Sequence, residues 1–256
     1  MIALISPAKI MRSKGGSVAE DVALSEPRFL CHADSIMSMM SAYSSLELSD
    51  IFRISTSLGR ELKGYIADFY NPDVAPISAV DSFDGVVYKH IKSGEVFSGE
   101  ECDYLQHHLR INSLVYGLLR PLDAIKQHRM EGFVHLSDGD QRVDKFWQEQ
   151  HTQTLIDDVL SSDGELLYLA AKEEQNSFRW SEVCRQVKVI DFRFLQPKGD
   201  KLRQVVIYTK MARGEMVRYM MQNNITNSKD LKRFEWGGYR FRAELSTNNL
   251  WTWVMD

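Results

Sequence analysis

The chain has 256 residues, 44% hydrophobic and 26% charged, with a formal net charge of −4. Those values suit a globular protein with a full core and exclude a disordered chain. No apolar run approaches the ~18 residues of a membrane span, and three scattered cysteines (Cys31, Cys102, Cys184) make neither a disulfide framework nor a CxxC metal site.

The N-terminus, "MIALISPAKIMRSK", begins apolar and then turns basic, the reverse of a secretory signal. With the odd cysteine count, a reducing cytoplasm is the expected location. "IALIS" reads as a buried first strand. "PRFLCHADSIMSMMSAY" has apolar residues at helical spacing and predicts a helix. "LSDIFRI" and "SLGRELKGYIADFY" predict two more, with Ser49 and Ser57 as N-caps. Ser98 followed by Glu101 is a capping box and predicts a helix from about 99 to 110. "SLVYGLL" is either a strand or a tight turn, and "FVHL" a strand. "DKFWQEQHTQTLIDDVLSS" is an amphipathic helix. "ELLYLAA" is a strand, and "NSFRWSEVC" an irregular or helical link. "VKVIDFRF" and "QVVIYT" read as strands, "KMARGEMVRYMMQNN" as a helix starting near Lys210, and "DLKRF" as a short helix. "YRFRAEL" and "LWTWVM" complete the chain as strands.

Helices and strands are interspersed without a steady βαβ rhythm. No repeat, proline cluster or Gly/Ser linker divides them. The expected fold is therefore a single compact α/β (mixed α+β) domain over residues 1–256, with an irregular mixed sheet and surrounding helices rather than a doubly wound one.

P-loop, HExxH, GxSxG and GxGxxG motifs are all missing, and the seven histidines show no metal-ligand spacing. No metal or cofactor is expected. What remains is an uneven distribution of charge. Residues 131–165 hold nine acids against Arg142 and Lys145, whereas residues 198–218 hold six Lys/Arg against Asp200 and Glu215. A weakly acidic chain can thus present a local basic field. Lys9 follows Pro7 at the exit of the first strand, where sites often lie. Arg110 falls in the last turn of its expected helix, where the dipole alone would favour it. Arg120 sits before Pro121 with Asp123 as an available partner, and Arg129 stands near Glu131. In "TKMARGEMVR", Lys210, Arg213 and Gly214 share one side of a helix with Arg218 a turn beyond. Gly214 is costly there unless another backbone or a phosphate comes close. The residues alone lead to an anion-binding α/β protein.

"LISPAK" at 4–9, "FDGVVY" at 83–88, "QHHLRINSLVYGLLRPLD" at 106–123, "RME" at 129–131, "FW" at 146–147, "LA" at 169–170 and "KMARGEMVR" at 210–218 occur in order. Together they resemble the YaaA family, from residue 2 to about 241. The resemblance implies a cytoplasmic protein of the hydrogen peroxide stress response. It also implies a single-domain α/β fold with a positively charged cleft and a helix-hairpin-helix element, and DNA binding without strong sequence preference. Carried over by motif, the DNA- or anion-binding residues are Lys9, Arg110, Arg120, Arg129, Lys210, Arg213 and Arg218. The hairpin element falls either at "LSDIFRISTSLGRELKGYIADF", with Gly59 near the junction, or at the turn after Arg110. The chain departs from the family pattern at Leu114, where a turn glycine is usual. It departs again in "YLAA", which lacks a usual Asn and Ser, and at His128 and Met130.

Three functions follow as expectations. In the first, cations neutralise DNA phosphates, and binding follows shape or junction structure rather than base sequence. The second is an enzyme acting on DNA or a nucleotide, lyase- or glycosylase-like. There Lys9 or Lys210 would form a Schiff base, and Glu131 or Asp123 would move protons. The third is a binder of a small anionic ligand clamped by arginines.

Overall fold

The computed structural model describes residues 1–135 and 141–256. In chain order the elements are β1 (Ile2–Ile5), α1 (Leu30–Ser41), α2 (Ser45–Phe52), α3 (Thr56–Tyr70), β2 (Ile77–Ser78), α4 (Ala79–Ser82), α5 (Val86–Lys92) and α6 (Gly99–His108). Then come β3 (Leu109–Ser113), β4 (Gly117–Leu119), β5 (Ala124–Ile125), α7 (Val143–Leu160), β6 (Glu165–Tyr168) and α8 (Trp180–Gln186). The chain closes with β7 (Lys188–Lys198), β8 (Lys201–Arg203), α9 (Val206–Gln222), β9 (Tyr239–Phe241) and β10 (Leu250–Met255).

The main sheet has the order β4-β3-β1-β6-β7-β10-β9, with β8 pairing the far end of β7. It is mixed, as expected, but its antiparallel members lie at the margins. The five central strands β3, β1, β6, β7 and β10 are all parallel to one another. Among these five, the second along the chain lies beside the first on one side and the third beside it on the other. That is a doubly wound order, contrary to the sequence-based expectation. Residues 6–108 and their six helices intervene between β1 and β3, so no βαβ rhythm shows in the sequence.

Side chains alternate along β1 as a strand buried on both faces requires. Ala3 and Ile5 face one core with residues of α1 to α6 and α9, and Ile2 and Leu4 face a second core with α7 and α8. The molecule is thus three layers with the sheet in the middle.

Several local expectations shift by a turn. The N-caps of α2 and α3 are Ser44 and Ser55, not Ser49 and Ser57. The Ser44–Glu47 capping box starts α2 earlier, and the Ser49 hydroxyl donates within the helix to Ser45 O. The Ser98–Glu101 capping box is present, but α6 ends at His108, which puts Arg110 on β3 rather than in the helix's last turn. "SLVYGLL" is the β3–β4 hairpin. Ser113 Oγ accepts from the amides of Val115 and Tyr116, and Gly117 at φ 71° turns the chain beside Trp147. "QVVIYT" is not a strand. β7 is already flanked by β6 and β10, so these residues begin α9 at Val206 instead. Within "FVHL" only His135 makes a bridge, and Leu136 lies outside the described residues. "DLKRF" and the end of "YRFRAEL" are 3-10 turns.

α2 and α3 pack as a helical pair joined by residues 53–55, with Arg53 at φ 53°. Gly59 is not at that junction. It lies in the first turn of α3, where an added Cβ would meet Ser45 O at 2.4 Å. Among the described residues, no helix is long and apolar enough to cross a membrane.

Candidate ligand cavity

In doubly wound sheets a crevice opens beyond the carboxyl ends of the strands where the strand order reverses. Here that point lies between β1 and β6. A cavity of about 650 Å³ occupies it, lined by residues that follow β1 (Ser6 to Ile10) and β6 (Leu169 to Ser177). The N-terminus of α5 (Gly85 to Tyr88), the segment 128–133, Arg142, Asp144, and Lys210 and Arg213 of α9 complete the wall. Its volume suits a metabolite-sized ligand.

Local structure holds this wall in place. Pro7 ends β1, and the Ser6 backbone carbonyl accepts from the Tyr88 hydroxyl at 2.8 Å. Ser6 Oγ accepts from the Ala171 amide at 2.8 Å and so ties the exits of β1 and β6 together. Gly85 brings α5 onto the β1 exit, since a Cβ there would sit 2.8 Å from that of Ala8. His128 is buried, with Nδ1 2.9 Å from Lys126 O and Nε2 3.2 Å from Ser113 Oγ. Burial pulls its pKa down to about 4.

The charges in the wall are mixed. Glu131 takes Lys9 Nζ at 2.9 Å and Arg129 at 3.1 Å. Arg142 grips Asp144 with two hydrogen bonds of 3.1 and 2.6 Å. Glu173 and Glu174 add two more carboxyls. The hollow thus holds carboxylates as well as the cations expected of the positively charged cleft that the resemblance implies. Its distinctive groups are the donors left over. Nε of Arg129 and Nε of Arg213 are both buried without a hydrogen-bond partner, on walls of the same cavity.

Glu174 is the group that sequence reading passed over. It stands in the 3-10 turn after β6, is 8% exposed, and accepts from Asn112 Nδ2 at 2.6 Å. Burial outweighs that hydrogen bond and raises its pKa to about 7. Only the strand-order argument would have pointed to residues after "ELLYLA", and it needs the parallel sheet to be known first.

Four of the seven expected cations meet here: Lys9, Arg129, Lys210 and Arg213. The other three lie elsewhere, each with its own acid. Arg110 is buried on the α7 side, its Nε 2.6 Å from Asp158, and its Nη1 donates to the carbonyls of Gln106 and Leu109. Arg28 grips the same carboxylate with two bonds of 2.9 Å. Burial opposes ionisation of Asp158, but the two guanidinium groups outweigh it and hold its pKa below the usual carboxylate range. Arg120 binds Asp123 at 2.8 Å and Glu26 O at 2.8 Å, which locks the proline turn. Asp123 is fully buried and outside the cavity lining, as no mobile proton carrier would be. Arg218 pairs with Glu95 at 2.7 Å. Gly214 answers to a backbone rather than a phosphate, because a Cβ there would lie 2.3 Å from Val87 O of α5.

The lysine-nucleophile reading finds little support in this geometry. The Lys9 side chain is 65% exposed and paired with Glu131, and Lys210 is exposed. A Schiff-base lysine works from a desolvated, cation-crowded setting. Among the described residues, no three His, Cys, Asp or Glu side chains are grouped so as to hold a metal ion.

Comparison with known proteins agrees with the sequence motifs. A UPF0246 protein of Parabacteroides distasonis is 38% identical over 257 residues, covering 100% of both chains. One of Bacteroides thetaiotaomicron is 36% identical over 96% of this chain and 95% of its own. One of Clostridium perfringens is 33% identical over 100% of both. Residues 1–245 match the family described as peroxide stress protein YaaA. From its first strand to its last helices, the chain belongs to that family.

Proposed function

We propose that this chain serves the response to hydrogen peroxide by binding a compact anionic ligand, bearing a phosphate or carboxylate, in the cavity between the exits of β1 and β6. One observation carries the reading: Arg129 and Arg213 both line this one cavity, and the buried Nε donor of each lacks a partner. A buried donor left without an acceptor costs about 1–3 kcal/mol, and an anion that satisfies it recovers that cost. Guanidinium forks suit phosphate and carboxylate oxygens, and Lys9 and Lys210 would attract the ligand from the rim.

Thermal unfolding in the presence of inorganic phosphate and nucleoside monophosphates tests this. A ligand at a hundredfold excess over its Kd adds about 2.7 kcal/mol. For a chain of this size that raises Tm by roughly 5–10 °C. Arg213→Met should abolish the shift. No shift with any anion would remove the reading.

A second reading, DNA binding, is favoured by the β7–β8 hairpin. Lys198, Lys201 and Arg203 are all exposed on it, and it leads directly into α9, with Tyr208 exposed in the first turn. The α2–α3 pair, with exposed Arg53 and Arg60, would supply the helix-hairpin-helix contact. Such contacts neutralise phosphates without reading sequence. Duplex affinity should fall with salt by about 0.9 in log–log slope per phosphate contacted. Replacing both Lys201 and Arg203 by alanine should lower that slope by about two. Duplex that fails to bind even at low salt would leave the cavity ligand as the whole function.

A further inference from the structure

Glu174 has no role in the family resemblance and no structural partner that needs its charge. Its carboxyl forms part of the cavity wall. Asn112 donates to one oxygen, Ser6 donates as well, and the field of Arg213 reaches it without an ion pair. The other oxygen-rich groups around it are the phenols of Tyr88 and Tyr168, both pushed towards the protonated form by burial. The remaining carboxylate beside it is Glu173, exposed on the same turn. Asn112 Oδ1 is itself buried without a partner. Every group packed against Glu174 thus tolerates a neutral acid, and the Asn112 amide can serve either protonation state.

An anion held by Arg213 in this cavity would share it with the Glu174 carboxyl. Two negative groups in one desolvated site cannot both stay charged cheaply. The other lining carboxylates do not face this choice, since Glu173 is exposed to water and the remaining two are paired with cations. Glu131 bridges Lys9 and Arg129, and Asp144 is gripped by Arg142.

We infer that Glu174 is the proton-holding group of the cavity: an oxyanion binds together with one proton, which the Glu174 carboxyl takes up and presents to the ligand as a hydrogen-bond donor. This rests on the anion-site reading above and extends it from a clamp to a site equipped for proton transfer. The proton comes from solvent on binding and returns to it on release. The carboxyl O–H bond formed on Glu174 replaces one broken in the solvent donor, and no bond to the ligand is made or broken.

Sulfate is a suitable probe, because it does not titrate between about pH 6 and about pH 8.5. Calorimetric titration of the whole chain in buffers of different ionisation enthalpy counts protons taken up per sulfate bound. Wild type should take up close to one proton at the alkaline end. Its affinity there should fall about tenfold per pH unit. Glu174→Gln keeps a hydrogen-bond donor and the shape of the side chain. It should bind sulfate with an affinity that no longer changes with pH, and without proton uptake. Sulfate binding by wild type without proton uptake, or uptake that survives in Glu174→Gln, would overturn the inference and leave the anion site standing. Failure of both proteins to bind sulfate or inorganic phosphate would overturn the anion site itself. The wild-type proton count decides the matter even where the variant folds poorly.

Discussion

Two arginines on opposite sides of the same sheet show what separates a structural cation from one held in reserve. Arg110, on β3, spends its donors on Asp158 and on two backbone carbonyls, and Arg28 completes the cluster. Arg213, on α9, is mostly buried yet has an Nε with no acceptor. Sequence treats the two alike, since each stands in a family motif among apolar neighbours. Packing treats them as opposites. A buried guanidinium whose Nε is held by a carboxylate contributes to the fold, and one whose Nε is left unfilled on a cavity wall is available to a ligand.

The sharpest way to break that contrast is to remove each charge. Asp158→Ala leaves Arg110 and Arg28 without their common acid and should cost about 3–5 kcal/mol of stability. Arg213→Met should cost far less, and removing an unsatisfied buried donor can even stabilise. Urea unfolding of the two variants checks this. Equal losses would mean that Arg213 is a structural residue after all.

Acid sharpens the comparison next, because each side of the sheet buries a neutral histidine. Burial holds His128, in the cavity wall, at about 4 and His151, stacked on Trp147 and Phe178 on the α7 side, at about 3. Both folded values lie below the unfolded value of about 6.5. The unfolded chain therefore binds more protons as pH falls, and the stability present above about pH 6.5 is lost on the way down to those values. For His128 the loss amounts to roughly 3 kcal/mol. Glu174 has the opposite sign. Its folded pKa of about 7 is raised, so its contribution is complete below about 4.5 and is lost as pH rises through 7. Stability measured against pH should thus sag at both ends. His128→Gln should make the acid limb shallower, with the share of His151 remaining, and Glu174→Gln should flatten the alkaline limb alone. A variant that left its limb unchanged would put its residue outside the buried site described here.

Much of this was legible in the chain itself, and the reasons differ by element. The Ser98–Glu101 capping box announced α6, because a cap is a local contract between residues three apart. The period of "DKFWQEQHTQTLIDDVL" announced α7, whose apolar face packs on the sheet. The four cations that line the cavity were named in advance because the family motifs carry them. The doubly wound order was hidden, because pairing β1 with β3 depends on contacts across residues 6–108 and leaves no local trace. Arg110, Arg120 and Arg218 were drawn into the cleft on motif membership. Their partners Asp158, Asp123 and Glu95 show that a motif can mark a fold as easily as a site. Glu174 was invisible for the converse reason: "KEEQNS" reads as a solvated turn, and only the third dimension buries one of its two adjacent glutamates.

The smallest effects test the helix-packing side of the comparison, where two helical glycines look equivalent in sequence. Gly214 of α9 lies against α5, and an added Cβ would collide with the carbonyl of Val87 and with His90. Gly64 of α3 has nothing within 4 Å of that position. Gly214→Ala must push two helices apart, at a cost of about 1–3 kcal/mol. That shift would also move Arg213, so phosphate binding should weaken with it. Gly64→Ala should instead gain about 0.5–1 kcal/mol, because alanine is the better helix former and no neighbour has to yield. Thermal melts of the pair, run with and without phosphate, separate the two causes. Should both alanines stabilise, α5 and α9 are not in backbone contact at Gly214, and the cavity wall that α9 contributes would need a different support.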